Sequence, residues 1–473
     1  MHLTGWLAAA STLAVALAAR SLGAGADATA PAAPPASSSA ADSSTPTSSA
    51  WLSQLPDGEE KRRFILDCTG CHQFDAQVAR IEGRPRSEAE WAAAVARMLG
   101  YAGAKTPFPV ISADRDPEAT ARWLAAALAK APAPPAAAPR ATVTATSSAA
   151  PGGAEVREFM FPAPQDLPHD VAIDSAGWVV VTGMFSHRMY QLDTATGRWT
   201  EEAIPVDKAN PRAVEVDGAG NWWVVLGGPN KVARRDPMGR WESWDVGVYA
   251  HSIALDRAGR AWVNGHFTRD PELLVSVRAR GNEIDRHELV QHPTLATRDG
   301  GPVPYELRAA PDGSIWMSEL QGNRMVRFDP ATRRSEAFEL PTPHSGPRRF
   351  DIDRSGVLWI PGYAANTLVR LDPKAPAARR FEEIPLPLKD ALPYVVRVDD
   401  ERGIVWVGSG AADAVIAYRP SAPQGGRFTV HPLPSRGAMI RHMTIDPRTR
   451  DLWLAYGASP GRIPARVARL RVR

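Results

Sequence analysis

The only two cysteines of the 473-residue chain stand in LDCTGCHQF, residues 66 to 74, with a histidine directly behind the second. Thiols at that spacing serve four chemistries: half of a zinc site, a redox dithiol, a small disulfide, or covalent attachment of haem. A tetrahedral zinc site needs two further nitrogen or sulfur ligands at suitable spacing, and no second cysteine pair exists. A thioredoxin-like dithiol follows a strand in an α/β pattern, whereas Cys68 ends a helical stretch in an all-helical segment. A disulfide between residues so close in sequence closes a tiny loop and stabilises little. Haem attachment gives all three residues a use. Cys68 and Cys71 each add to a vinyl group, and His72 is placed under the iron as proximal ligand.

The elements that must position this motif are helical in pattern and run from residue 51 to residue 130. Asp57 can cap a helix through EEKRRFILD, Ser87 and Glu90 form a capping box ahead of WAAAVARML, and Asp116-Pro117-Glu118 opens a third helix, ATARWLAAALAK. Three helices make a very small core, which usually needs a staple, and a covalently held macrocycle would be one. Between His72 and the end of the segment there is no other histidine and one methionine, Met98. Met98 is therefore the candidate sixth ligand; with His it suits electron transfer and raises the potential. Its other use is to fill the core of an amphipathic helix, leaving the iron open or water-bound. The segment resembles class I small cytochromes c, with the motif after the first helix and Trp123 in the last. In that family these two helices pack together, which implies a contact between Phe64 and Trp123.

Around this segment lie tracts that build no core. Residues 1–26, with an apolar stretch from Trp6 to Ala19 and small residues at Ala24-Gly25-Ala26, read as a secretory signal, so the expected location is periplasmic or otherwise exported and soluble. Residues 27–50 and 131–153 are rich in Ala, Pro, Ser and Thr and read as disordered linkers. The 55 Lys+Arg against 52 Asp+Glu give a net charge of +3 with the signs interspersed, which speaks against a nucleic-acid partner.

Residues 154–473 contain a repeat. PHDVAIDSAGWVVV, PRAVEVDGAGNWWVV, AHSIALDRAGRAWV, PYELRAAPDGSIWM, PRRFDIDRSGVLWI, PYVVRVDDERGIVWV and RHMTIDPRTRDLWL each join an alternating strand, an acidic or glycine turn and a second strand. Aligned on the turn, they recur at Asp174, Asp217, Asp256, Ala310, Asp353, Asp399 and Asp446. Each unit has room for four short strands, so the expected fold is a small all-α domain followed by an all-β seven-bladed propeller. VREFMFPAP, 156 to 164, resembles an outermost strand, and the last repeat stops at VARLRVR, so the first strand is expected to complete the seventh blade.

Residues 304 to 329, PYELRAAPDGSIWMSELQGNRMVRFD, resemble the blade signature of the streptogramin (virginiamycin B) lyases. The resemblance implies the propeller. It would also imply elimination from a cyclic peptide lactone with Mg²⁺ held by histidine and glutamate at the channel mouth. Carried over in register, those positions hold Tyr394, Met439, Arg441 and a residue near Gly457, which offer a hard cation none of its carboxylates.

The residue five before each turn marker starts an inner strand and should reach the channel axis: His169, Arg212, His251, Tyr305, Arg348, Tyr394 and Arg441. Glu306, Arg349 and His442 lie one residue on, and His266 and Glu319 come from second strands. His169, His251, His266, Glu306, Glu319 and His442 are accordingly the channel candidates for chemistry. Such a ring suits a small anionic or organic ligand, or a borderline metal through imidazole, or simply lines a hydrated channel. The expectation is an exported single-haem cytochrome that exchanges electrons with a periplasmic redox partner, its propeller binding a partner or substrate. The alternatives are a metal-dependent lyase with a divalent metal in the propeller, and a non-catalytic docking module.

Overall fold

The computed structural model describes residues 46–102, 115–135, 148–150, 153–295, 301–457 and 464–472. The signal at 1–26, and the tracts 27–45 and 136–147 of the two linkers, lie outside the described residues.

Seven antiparallel sheets make up the propeller, six of four strands laid down in chain order and one of five that takes strands from both ends of the propeller segment. The repeat arises at the turn. Asp217 accepts the backbone N–H groups of Ala219 and Asn221 on one oxygen and the Trp223 indole N–H at 3.0 Å on the other. Asp256 holds Trp262 in the same way at 2.9 Å, and Asp353 holds Trp359 at 3.2 Å. Gly220 follows at φ 81°, a left-handed turn position that a residue with a Cβ adopts at a cost. The acidic turn and the tryptophan are thus two ends of one hydrogen bond that fixes the hairpin register.

The ring closes through the ends of the chain. The seventh blade takes Ile440–Ile445, Leu452–Tyr456 and Arg466–Val472, and its next strand is Ala154–Met160, paired from Arg466↔Met160 to Val472↔Ala154. Ser148–Ala150 adds a fifth strand. The tract 131–153 therefore contributes to the sheet at its end, where backbone pairing supplies what its small side chains do not.

The helical unit comprises α1 (Ser48–Leu52), α2 (Glu59–Cys68), α3 (Ala76–Ala79), α4 (Glu88–Ala102) and α5 (Pro117–Leu128). The capping box forms, with the Ser87 N–H donating to Glu90 at 2.8 Å and the Glu90 N–H to the Ser87 hydroxyl at 3.3 Å. Asp116 caps α5 through the N–H groups of Glu118 and Ala119. Asp57 does not cap α2: Gly58 is the N-cap, and the Asp57 carboxylate pairs with Lys61 and Lys389 instead. The Phe64 and Trp123 rings meet at 5.5 Å, which ties α2 to α5. α1 starts within tract 27–50, where Thr47 caps it and Trp51 and Leu52 behind are buried.

A loose link would leave the helical unit free of the propeller, but the two share one apolar cluster that includes Leu66, Phe64, Leu320, Tyr363 and Tyr394. The Lys61 ammonium lies 2.8 Å from the Asp390 carboxylate, both largely buried. Gln73 donates to the carbonyl of Gly410 at 2.8 Å, and the Ser49 N–H to that of Ala411 at 3.0 Å. No helix among the described residues is long and apolar enough to cross a membrane.

Candidate functional site

The loop after α2 separates two concavities. On one side is an open cleft of about 510 Å³ of empty space, lined by Cys68, His72 and Met98 together with Phe64, Phe74 and Trp91. Trp91, Val95, Met98 and Leu99 fall on one stripe of α4, at positions i, i+4, i+7 and i+8, which is why Met98 faces the motif. His72 Nδ1 sits 3.0 Å from the carbonyl of Gln73, an arrangement that fixes the ring and leaves Nε2 for another partner. Burial in this apolar setting pushes the Cys68 thiol up to about 12, so it is neutral at physiological pH.

On the other side is a chamber of about 860 Å³ of empty space at the mouth of the propeller channel. All seven inner-strand residues line it: His169, Arg212, His251, Tyr305, Arg348, Tyr394 and Arg441, and His266 joins them. The rest of its wall is the motif, through Asp67, Gly70 and Cys71, and an apolar part from Leu167, Met184 and Leu320. Cys68 and Cys71 thus look to opposite sides of one loop. Arg441 fastens that loop by donating to the Cys71 carbonyl at 3.0 Å. The Tyr363 hydroxyl bonds the Thr69 carbonyl at 3.1 Å. The guanidinium of Arg348 lies over three phenol rings, 3.9 Å from Tyr363, 4.5 Å from Tyr394 and 5.1 Å from Tyr305. A Cβ on Gly70 would stand 3.1 Å from Arg348, so the glycine is what lets the loop approach.

The chamber is a positive field around neutral imidazoles. Burial holds His169 at about 4 and His266 at about 3, and holds His251 well below its ordinary value, with the neighbouring arginines acting in the same direction. The Tyr305 and Tyr394 hydroxyls are 2.5 Å apart and share a proton. Burial alone would raise both phenols, but the Arg348, Arg441 and Arg349 guanidiniums outweigh it at Tyr394 and bring it to about 8, while Tyr305 is pushed up.

Glu306, His442 and Glu319 are not part of this wall. Glu306, Arg349 and His442, one residue past the ring, enter a buried network that His169 of the ring joins through Asp170 at 2.9 Å and Arg349 at 3.2 Å. Arg349 pairs with Asp170 at 2.7 Å and Glu306 at 3.4 Å, Arg308 with Glu306 at 2.7 Å, and Arg397 meets His442 at 2.6 Å. These groups join five blades across the axis. Glu319 is held by Arg324 at 2.6 Å, and Arg324 also reaches Glu272 at 3.0 Å. Burial and the Glu319 charge push Glu272 up to about 9, so this is a structural cluster around an arginine.

Streptogramin B lyases share this propeller fold. One solved streptogramin B lyase is 18% identical, with a TM-score of 0.57, over 68% of this chain and 98% of that one. The virginiamycin B lyase of Staphylococcus aureus gives 16% identity and the same TM-score over 68% and 100%, and an inactive form of it with quinupristin gives 17%. No protein-family model and no curated protein matches the chain. The positions that the lyase resemblance singles out lie close together but hold other chemistry. Tyr394 and Arg441 line the chamber, Met439 is buried in the core, and Gly457 packs against Ala465. Among the described residues, no three His, Cys, Asp or Glu side chains are grouped to hold a metal ion.

Sequence reasoning located the ring because every member stands at the same offset from its turn. It missed Tyr363, Thr69 and Gln73, which join loop to propeller; only the pairing of two distant segments makes them functional, and a single sequence carries no signal of that.

Proposed function

We propose that the chain is a single-haem c-type cytochrome seated on a propeller, in which haem c is tethered by Cys68 and Cys71, His72 is the proximal ligand and Met98 the distal one. The propeller then presents the partner or substrate with which electrons are exchanged. The observation that carries this reading is the convergence of Cys68, His72 and Met98 on one apolar cleft. The cleft's lining suits the group: Phe64, Phe74, Trp91 and Leu124 offer an apolar wall, the His72 ring is held by a carbonyl, and the Cys68 thiol is neutral, while Cys71, exposed and on the chamber side, would have to turn toward the cleft to make the second thioether. When bound, haem supplies a one-electron couple, and a His/Met pair sets it at a raised potential. The protein would act in an exported compartment, with a periplasmic redox partner. No carboxylate stands at the positions that the lyase resemblance singles out, so no specific observation favours a lyase.

The test is production of the full chain with an export signal in a host that attaches haem c. The expected result is a mass gain of one haem that survives denaturing extraction, with a c-type pyridine haemochrome spectrum. Cys68→Ala with Cys71→Ala should leave no covalent haem, and Met98→Ala should leave the haem attached while converting its spectrum to a form that binds carbon monoxide. A folded wild-type chain recovered at its apoprotein mass would overturn the reading.

A further inference from the structure

The chamber under the loop is built for a ligand of definite polarity. Arg348 and Arg441 are buried, at 2% and 5% exposure, and the Nε of each has no hydrogen-bond partner. Arg348 donates to the Tyr305 hydroxyl at 2.8 Å, and Arg441 to the two loop carbonyls and, at 3.4 Å, to the Tyr394 hydroxyl. Arg212 donates to the Asn210 side chain at 3.0 Å and lies over the Tyr249 ring. Among the described residues none of the three has a carboxylate partner. The one carboxylate on the wall, Asp67, is taken by Arg115 at 2.5 Å and by Gln321 at 3.0 Å. Buried cations without a counter-ion are costly, and an anion entering the chamber would supply one.

The histidines narrow the choice of anion. His251 Nδ1 faces the Tyr305 carbonyl at 2.9 Å, His266 Nδ1 the Pro304 carbonyl at 2.6 Å, and His169 Nδ1 the Arg212 carbonyl at 2.5 Å and Asp170 at 2.9 Å. At His251 and His266 these acceptors place the ring proton on Nδ1, so their Nε2 atoms carry lone pairs; His169 Nδ1 also faces the Arg349 guanidinium at 3.2 Å. The rings crowd together, His169 to His251 at 5.2 Å and His251 to His266 at 4.7 Å. A bare oxyanion would turn its own lone pairs on those nitrogens. A ligand with both a carboxylate and a hydroxyl satisfies both halves, and Leu167, Met184 and Leu320 give an apolar wall for its carbon skeleton.

We infer that the chamber between the Cys68–His72 loop and the propeller binds a small organic hydroxy acid, its carboxylate on Arg212, Arg348 and Arg441 and its hydroxyl donating to the His251–His266 pair. This rests on the reading of the propeller as the ligand-binding half of the molecule. The ligand would lie against the Gly70 and Cys71 backbone, the face of the loop turned away from the cleft.

Calorimetric titration of the full-length holoprotein with two matched pairs, L-lactate against propionate and 4-hydroxybenzoate against benzoate, and with sulfate, tests it. In at least one pair the hydroxy acid should bind about tenfold more tightly than its partner, the worth of one buried hydrogen bond. His266→Leu should erase that preference while leaving carboxylate binding in place, and Arg441→Gln should weaken every carboxylate while preserving the preference. If His266→Leu fails to fold, His251→Phe keeps the ring packing against Tyr305 and removes only the nitrogens. Equal affinity within both pairs, sulfate as tight as the hydroxy acids, or no binding of any probe up to about 10 mM would each overturn the inference. Haem content is read separately from the spectrum. A haem-free chain that still prefers the hydroxy acid refutes the cytochrome reading alone, and a haem-loaded chain with no preference refutes this one alone.

Discussion

The two concavities flank one short loop and differ in almost every physical respect. The α2–α4–α5 cleft is walled mainly by aromatic and aliphatic side chains, its Arg115 already paired with Asp67 and Glu60, whereas the chamber is walled mainly by arginines, histidines and tyrosines. Burial acts in the same direction on acids in both. In the cleft the Asp67 charge adds to burial and outweighs the Arg115 guanidinium, and Cys68 rises to about 12; at the chamber three guanidiniums reverse it, and Tyr394 falls to about 8. The difference teaches that a buried acid's behaviour is set by the nearest uncompensated cations rather than by depth alone.

The comparison depends on the two halves staying together, and the largest expected effect comes from parting them. Lys61 and Asp390 form a buried pair across the junction, with the Ser53 hydroxyl donating to the same carboxylate at 2.8 Å. Lys61→Ala leaves Asp390 buried without its cation and should destabilise the chain by about 3–5 kcal/mol in urea unfolding, most of which Lys61→Met with Asp390→Leu should restore. Loss of both variants to the same extent would mean that the pair matters only through packing volume.

A smaller effect is expected where the Gly346 backbone meets the Leu66 side chain. Gly346 sits at φ 70°, and a Cβ there would lie 2.2 Å from a methyl of Leu66, two residues before Cys68. Gly346→Ala should cost about 1–2 kcal/mol from the left-handed conformation alone, with more from the contact. Leu66→Ala in the same chain should relieve the contact part and leave the backbone part, a separation that a double-mutant cycle measures. Full recovery in the double variant would put the whole cost in the side-chain contact.

What the sequence made legible follows the same division. The propeller was readable because its turn aspartates and tryptophans repeat, and a repeat fixes an offset; the offset placed His169, Arg212, His251 and the rest of the ring on one wall without any coordinates. One residue further on, Glu306 and His442 enter the ion network, and Glu319 is held by Arg324. Cys68, Cys71, His72 and Met98 were singled out by scarcity, but nothing local says that Cys71 faces the propeller. The docked arrangement was not legible at all, because Tyr363 and Thr69, or Lys61 and Asp390, are separated by hundreds of residues and meet only through three-dimensional packing. Composition rightly marked the linkers as poor in apolar side chains, yet Thr47 and Trp51 order the chain at 48 by capping and burial.

The smallest effect in energy is the most direct reading of the chamber's field. The Tyr305–Tyr394 pair should lose its first proton near pH 8, below the ordinary tyrosine range near 10, and its second above that range. Where the folded state ionises first, it binds fewer protons than the unfolded state, so stability rises with pH from about 8 to about 10; above 10 the raised Tyr305 reverses the slope. Tyrosinate difference absorbance of the native protein should therefore show one early transition near pH 8, absent in Tyr394→Phe. Arg348→Gln and Arg441→Gln should each move that transition upward, because each removes a cation that favours the phenolate. A transition that stays near 8 without either arginine would locate its cause outside the chamber, and with it would go the contrast between a cleft ruled by burial and a chamber ruled by charge.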